Sequence, residues 1–133
     1  ICYESIYGDY LGEFIRNGAQ VLFIITNDGW WKDTPGYRQH FSFARLRAIE
    51  FRRWIARSAN TGISGVISPC GEIIKSAGWN KQTSISHSLT LNNNITYYAK
   101  YGDWIGRIGL YVAFLGLLYW IAYSTKKRNL LVD

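Results

Sequence analysis

The sequence predicts an α/β layered domain followed by one membrane-crossing helix. Three observations carry that prediction. Between Ile1 and Leu91, apolar runs rich in β-branched residues alternate with stretches of helical periodicity. Between Arg107 and Lys126 lie 18 residues without a charge. Hydrophobic residues make up 48% and aromatics 17% of the 133 residues, a heavy aromatic load for a small soluble domain. A chain of this length suits one domain with a real core.

In order along the chain, Ile1-Cys2 reads as the end of a strand. Tyr7 to Asn17 forms a short helix, with Tyr7, Leu11, Phe14 and Ile15 at helical spacing and Gly18 ending it. Val21 to Ile25 is a continuous apolar run, the pattern of a strand buried on both faces. Tyr37 to Ala59 reads as one long helix whose stripe is Phe41, Ala44, Ala48, Phe51 and Ile55. Asn60 and Gly62 break it. Ile63 to Ser68 alternates, and Pro69-Cys70-Gly71-Glu72 turns the chain into Ile73-Ile74-Lys75. Ile85 to Leu91 alternates again, and Asn92-Asn93-Asn94 is a loop.

The uncharged stretch, extended by Trp104 and Ile105, reaches the roughly 20 residues that a helix needs to cross the hydrocarbon core. Trp104 marks one interface; Trp120 and Tyr123 mark the other. A buried core helix is the competing reading, but it would have to be apolar all round. Lys126-Lys127-Arg128 follow the span, so the C-terminus is expected in the cytoplasm and residues before 103 outside it. The expected organisation is a catalytic domain over 1–102, a span over 103–125 and a cytoplasmic tail over 126–133.

The net charge of +6 raises nucleic acid or an anionic membrane as partner. Arg38, Arg45 and Arg52 recur every seven residues on one helix face. They read as a solvated, salt-bridged face, with Glu50 near Arg47, Arg53 and Arg57, so no nucleic-acid partner is expected. Two cysteines are too few for a disulfide scaffold, and two His with two Cys lack zinc spacing, so no metal is expected. The opening on Ile1-Cys2-Tyr3-Glu4, with no methionine and no signal peptide, reads as the interior of a longer chain.

If residues 5–18 cross over from Ile1-Cys2 to the strand at 21–25, the two strands are parallel neighbours. Loops after parallel strands share one sheet edge, so Asn27, Asp28, Trp30 and Trp31 fall beside Cys2. A cysteine at a strand-to-helix junction suits a nucleophile, and the backbone N–H groups after it, near Tyr3, suit an oxyanion. A plain buried cysteine fits the position equally well. His40 reads as a polar contact at a helix start rather than a base. Trp30 and Trp31 cannot both face one core, which leaves one for the edge of the site.

The ordered set ICYES, FIITNDGWW and GYRQHFSFARLRAIEFRRWIARSANTGISGVISPCGEI resembles the nitrilase (carbon-nitrogen hydrolase) superfamily, and within it the apolipoprotein N-acyltransferase family. The matching pieces run from Cys2-Tyr3-Glu4 through Asn27-Asp28, Gln39-His40, Arg47 to Glu50, Arg57 and Asn60-Thr61-Gly62 to Pro69 and Gly71. The resemblance implies part of an α-β-β-α sandwich and a Glu-Lys-Cys triad with Cys2 as nucleophile. Its Glu and Lys precede Cys2 in the family, so residues 1–133 alone are expected to be inactive. Glu4 matches an additional glutamate, not the triad base. The implied reaction needs no cofactor. It moves an acyl chain from a phospholipid to the N-terminal diacylglyceryl-cysteine of a lipoprotein at the bacterial inner membrane, with the catalytic domain extracytoplasmic. A membrane-anchored amidase of the same superfamily and a non-catalytic membrane-anchored binding domain are the alternatives.

Overall fold

The computed structural model describes residues 1–129, so residues 130–133 of the expected tail lie outside the described residues. The chain divides into a unit over Ile1–Gly102 and a second unit that begins at Asp103.

In the first unit, a 3-10 turn over Tyr3–Ile6 leads into α1, Gly8–Arg16. Leu11 and Ile15, four residues apart, are its fully buried pair, while Tyr7 and Phe14 are exposed. Gly18 stops the helix at φ 95°: its N–H bonds to Ile15 O, and the next N–H, of Ala19, bonds to Phe14 O. That pairing satisfies two carbonyls of the last turn and needs a left-handed residue where glycine fits.

β1, Val21–Thr26, is followed by α2, Pro35–Phe51, with Pro35 in the first turn, where its missing N–H costs nothing. The expected helix to Ala59 is corrected here. Arg52 turns left-handed at φ 50°, and Trp54–Ala59 is β2, paired in parallel with β1. Neither Gly nor Pro marks the break, and Ile55 happens to continue the helical stripe. Burial of Ile55 and Arg57 on one face of the sheet decides for strand.

β3, Ser64–Ile67, and β4, Ile73–Ala77, continue antiparallel, giving the sheet order β1-β2-β3-β4. The alternation at Ile85–Leu91 does not become a strand; residues 81–96 have no regular secondary structure. No ladder pairs that stretch. Side-chain bonds fasten it instead, with Lys75 Nζ on Ser86 O and Asn92 Nδ2 on Arg52 O. The fully buried Arg53 donates to Ala19 O, Phe51 O and Asn94 O, so three segments meet on one guanidinium. α3, Tyr97–Tyr101, is capped by the Thr96 hydroxyl, which accepts from Ala99 N.

The helices lie on one face of the sheet, where Leu11, Ile15, Leu22, Ile24, Phe41, Ala44, Ala48, Phe51, Ile55, Ile67 and Ala99 form the core. The expectation that β1 is buried on both faces fails on Phe23 and Ile25, which are 61% and 69% exposed. Its continuous apolar run does not separate the packed face from the bare one.

In the second unit, α4 runs from Trp104 to Asn129, with Asp103 Oδ1 accepting from Gly106 N at its start. Trp104–Lys126, 23 residues, is long and apolar enough to cross a membrane. At about 1.5 Å per residue it exceeds the roughly 30 Å hydrocarbon thickness.

Candidate functional site

The ends of the parallel strands gather the site. Ile25 N–H bonds to Ile1 O, so the chain leading into Cys2 runs beside β1 and Cys2 emerges at its C-terminal end. Cys2 Sγ lies 3.2 Å from Thr26 Oγ1, the last residue of β1. Parallel pairing brings the end of β2 to the same edge, where Asn60 N–H bonds to Thr26 O and Asp28 N–H to Thr61 O.

Asp28 is fully buried there and holds three donors. Thr26 Oγ1 approaches Oδ1 at 3.1 Å, His40 Nδ1 approaches Oδ1 at 2.9 Å, and Arg57 Nη2 approaches Oδ2 at 2.6 Å. Burying a carboxylate is costly unless it is paired and hydrogen-bonded, and this one is both. Gly62 makes room for it: at φ 130° its added Cβ would stand 2.6 Å from Asp28 Oδ2. Burial, and then the neighbouring Arg57 charge, hold His40 below the ordinary histidine range against the pull of Asp28. His40 is therefore neutral near pH 7. Its Nδ1 lies 2.9 Å from Asp28 Oδ1 and 3.1 Å from Arg57 Nη2, and its Nε2 lies 3.3 Å from the buried Ser5 Oγ. Burial also lowers the Arg57 guanidinium from its usual value, while Asp28 acts in the opposite sense.

Around this polar centre stands an aromatic wall. The Tyr3 ring lies 6.1 Å from Trp30 and 5.9 Å from Trp31, and the two indoles are 4.9 Å apart. Trp31 lies over the start of α2, where a side chain at Gly36 would come within 2.7 Å of it. Trp30 is 71% exposed. A cavity of about 180 Å³ opens between Tyr3, Trp31, Gln39, His40 and Phe43.

Of the residues singled out from sequence, Cys2, Tyr3, Asp28, Trp30 and Trp31 come together. Glu4 Oε2 accepts from Cys2 N at 2.9 Å, and this bond, followed by one from its own N–H, holds Glu4 below the usual carboxylate range. Asn27 serves the loop itself, its Oδ1 accepting from Gly29 N. Thr26, Ser5, His40, Arg57 and Gly62 complete the cluster, and sequence reasoning had left them out of the site. Thr26 was findable as the strand-end residue on the edge already assigned to Cys2. Arg57 stood in the matching set but was read with Glu50 on a helix face; the break before β2 turns it inward to Asp28 instead, and Glu50 pairs with Arg47. Cys2 and Cys70 are both free thiols, and among the described residues no three His, Cys, Asp or Glu gather for a metal.

The carbon-nitrogen hydrolase family matches residues 1–97. A relative from Chlorobaculum tepidum named apolipoprotein N-acyltransferase is 38% identical over 128 residues, 96% of this chain and 24% of its own length. One of the same name from Thermotoga maritima is 30% identical over 97% of this chain and 25% of its own. A third, from Sinorhizobium medicae, is 48% identical over 80 residues, 60% of this chain and 15% of its own. The chain spans about a quarter of the length of the first two. With most of the first unit matched and α4 aligned in relatives that share one name, the chain belongs to the carbon-nitrogen hydrolase family.

Proposed function

We propose that this chain carries the nucleophile of an N-acyltransferase, with Cys2 passing an acyl group from a phospholipid to the N-terminal diacylglyceryl-cysteine of a lipoprotein. The observation that supports it most is Cys2 at the C-terminal sheet edge, next in sequence to Tyr3, whose ring meets the exposed Trp30; the same chain also carries a helix long enough to cross a membrane. A nucleophile that must reach a lipid ester belongs at such a surface, and the name shared by the relatives agrees with it.

The thiolate of Cys2 attacks the ester carbonyl of the phospholipid. The C–O bond breaks, and the lysophospholipid leaves as an alcohol with the proton taken from the thiol. The acceptor's free amine then attacks the thioester, the C–S bond breaks, an amide forms, and the amine proton returns to sulfur. A Glu base and a Lys on chain preceding Cys2, as the resemblance implies, move the proton and meet the oxyanion; backbone N–H groups near Tyr3 assist. Glu4 supports the backbone of the nucleophile, and Asn27 to Trp31 border the site. The excess of Lys and Arg after Thr125 supports a cytoplasmic C-terminus, with the catalytic unit on the outer side of the inner membrane.

Incubating the full-length protein with a phospholipid labelled in its acyl chain gives a hydroxylamine-sensitive adduct on Cys2. Adding a diacylglyceryl-cysteine peptide discharges the adduct to an amide. Cys2→Ala abolishes both steps. Label on Cys70, or full transfer by Cys2→Ala, refutes the assignment; discharge to water alone would make the protein an amidase-type hydrolase.

A further inference from the structure

Four side chains beside Cys2 serve a purpose that the acyl-transfer chemistry alone does not assign. We propose that Thr26 is the positioning residue for the Cys2 thiol, locked in its role by a ring of hydrogen bonds that begins and ends on Cys2. The proposal rests on Cys2 being the nucleophile.

The ring follows by counting protons. Ser5 N–H donates to Cys2 O at 3.1 Å. Ser5 Oγ lies 3.3 Å from His40 Nε2, which accepts the hydroxyl proton when the single ring proton sits on Nδ1, 2.9 Å from Asp28 Oδ1. His40 Nδ1–H donates to Asp28 Oδ1. A carboxylate only accepts, so the Thr26 hydroxyl proton must also go to Asp28 Oδ1. Thr26 has no second proton, and it therefore meets Cys2 Sγ as an acceptor for the S–H. Asp28 orients the ring, and Arg57 holds it from the far side, its Nη2 lying 2.6 Å from Asp28 Oδ2 and 3.1 Å from His40 Nδ1.

Two anchors thus hold one residue: the carbonyl of Cys2 through Ser5, and its sulfur through Thr26. In the resting thiol the S–H is directed at Thr26, which holds the Cys2 side chain in one rotamer at the sheet edge until the base takes that proton. Thr26, Asp28, His40 and Ser5 are each at least 94% buried, so water does not compete for these bonds. A free cysteine rotor samples three staggered wells, and holding one of them is a direct contribution to rate.

The test uses full-length protein in detergent micelles, with labelled phospholipid and a diacylglyceryl-cysteine peptide. Thr26→Val keeps the shape and burial of the side chain but removes the acceptor. It lowers kcat roughly 10- to 100-fold at unchanged KM, as misplacement of a reacting group does. Thr26→Ser keeps the hydroxyl and stays within about threefold of the parent kcat. Ser5→Ala opens the ring on its other side and lowers kcat about tenfold at unchanged KM, which keeps the test open if Thr26→Val fails to fold. Parent-like kcat in a folded Thr26→Val or in Ser5→Ala, an equal loss in Thr26→Ser, or a change confined to KM would each overturn the positioning role. Full transfer by Cys2→Ala would instead remove the nucleophile reading beneath it.

Discussion

Replacing Arg57 with methionine removes one half of an ion pair whose side chains are both 0% exposed and whose charged atoms stand 2.6 Å apart. At an effective dielectric of about 20 the attraction across that distance is about 6 kcal/mol. Desolvating each ion costs several kcal/mol, so the intact pair is near break-even against apolar side chains. The single variant is a different matter. Asp28 stays buried without its cation, and the donor to Ile63 O is lost as well. Such a broken pair costs about 3–5 kcal/mol, against a total stability of about 5–15 kcal/mol for a domain. The assay is equilibrium denaturation of the full-length protein in detergent, followed by tryptophan fluorescence. Arg57→Met/Asp28→Asn, which removes both charges, should recover at least about 1 kcal/mol relative to the sum of the single variants. A cost below about 1 kcal/mol for Arg57→Met, or strict additivity in the cycle, would show that the buried pair does not organise the strand ends.

His40 predicts a pH dependence with a definite sign. Its folded-state value lies below the unfolded 6.5, so the unfolded chain takes up the proton first. The stability contributed by neutral His40 is complete above about pH 6.5 and is lost as the pH falls below it, at up to about 1.4 kcal/mol per pH unit. The same denaturation assay between pH 5 and 7.5 should show a shallower slope for His40→Gln than for the parent. Gly62→Ala should destabilise by about 1–3 kcal/mol and slow acyl transfer, because the methyl group meets Asp28 at a left-handed backbone position. Gly18→Ala, at φ 95° but with open space around it, should cost about 1 kcal/mol or less without touching transfer; equal effects from the two would separate Gly62 from the site.

What could be read in advance depended on whether local pattern and tertiary contact agreed. In α1, the hairpin at Pro69-Cys70-Gly71-Glu72 and the apolar helix, periodicity or turn chemistry is unambiguous and the elements form where expected. The approach of Asp28 and the two tryptophans to Cys2 followed from chain direction, although Ile1-Cys2 forms no strand and lies beside β1 through the one bond from Ile25 N–H to Ile1 O. β2 was hidden for the opposite reason. Arg52 takes a left-handed turn with a side chain that gives no warning of it, and Ile55 fits a helical stripe as well as a strand face. With β2 went Arg57 and the reason for burying Asp28. Between Ile85 and Leu91 the alternation is real, but a strand requires a neighbour with free backbone groups, and none pairs there.

Arg53 shows what holds that irregular stretch. Its guanidinium reaches carbonyl oxygens that follow α1, end α2 and precede α3. One planar fork thereby acts as the junction of three otherwise separate pieces of chain. A lysine would keep the charge yet present a single nitrogen, which cannot serve carbonyls approaching from such different sides. The exchange usually treated as the mildest for arginine would here cut the tie to Asn94 O and leave that stretch to the bonds of Asn92 Nδ2 on Arg52 O and Thr96 Oγ1 on Glu50 O.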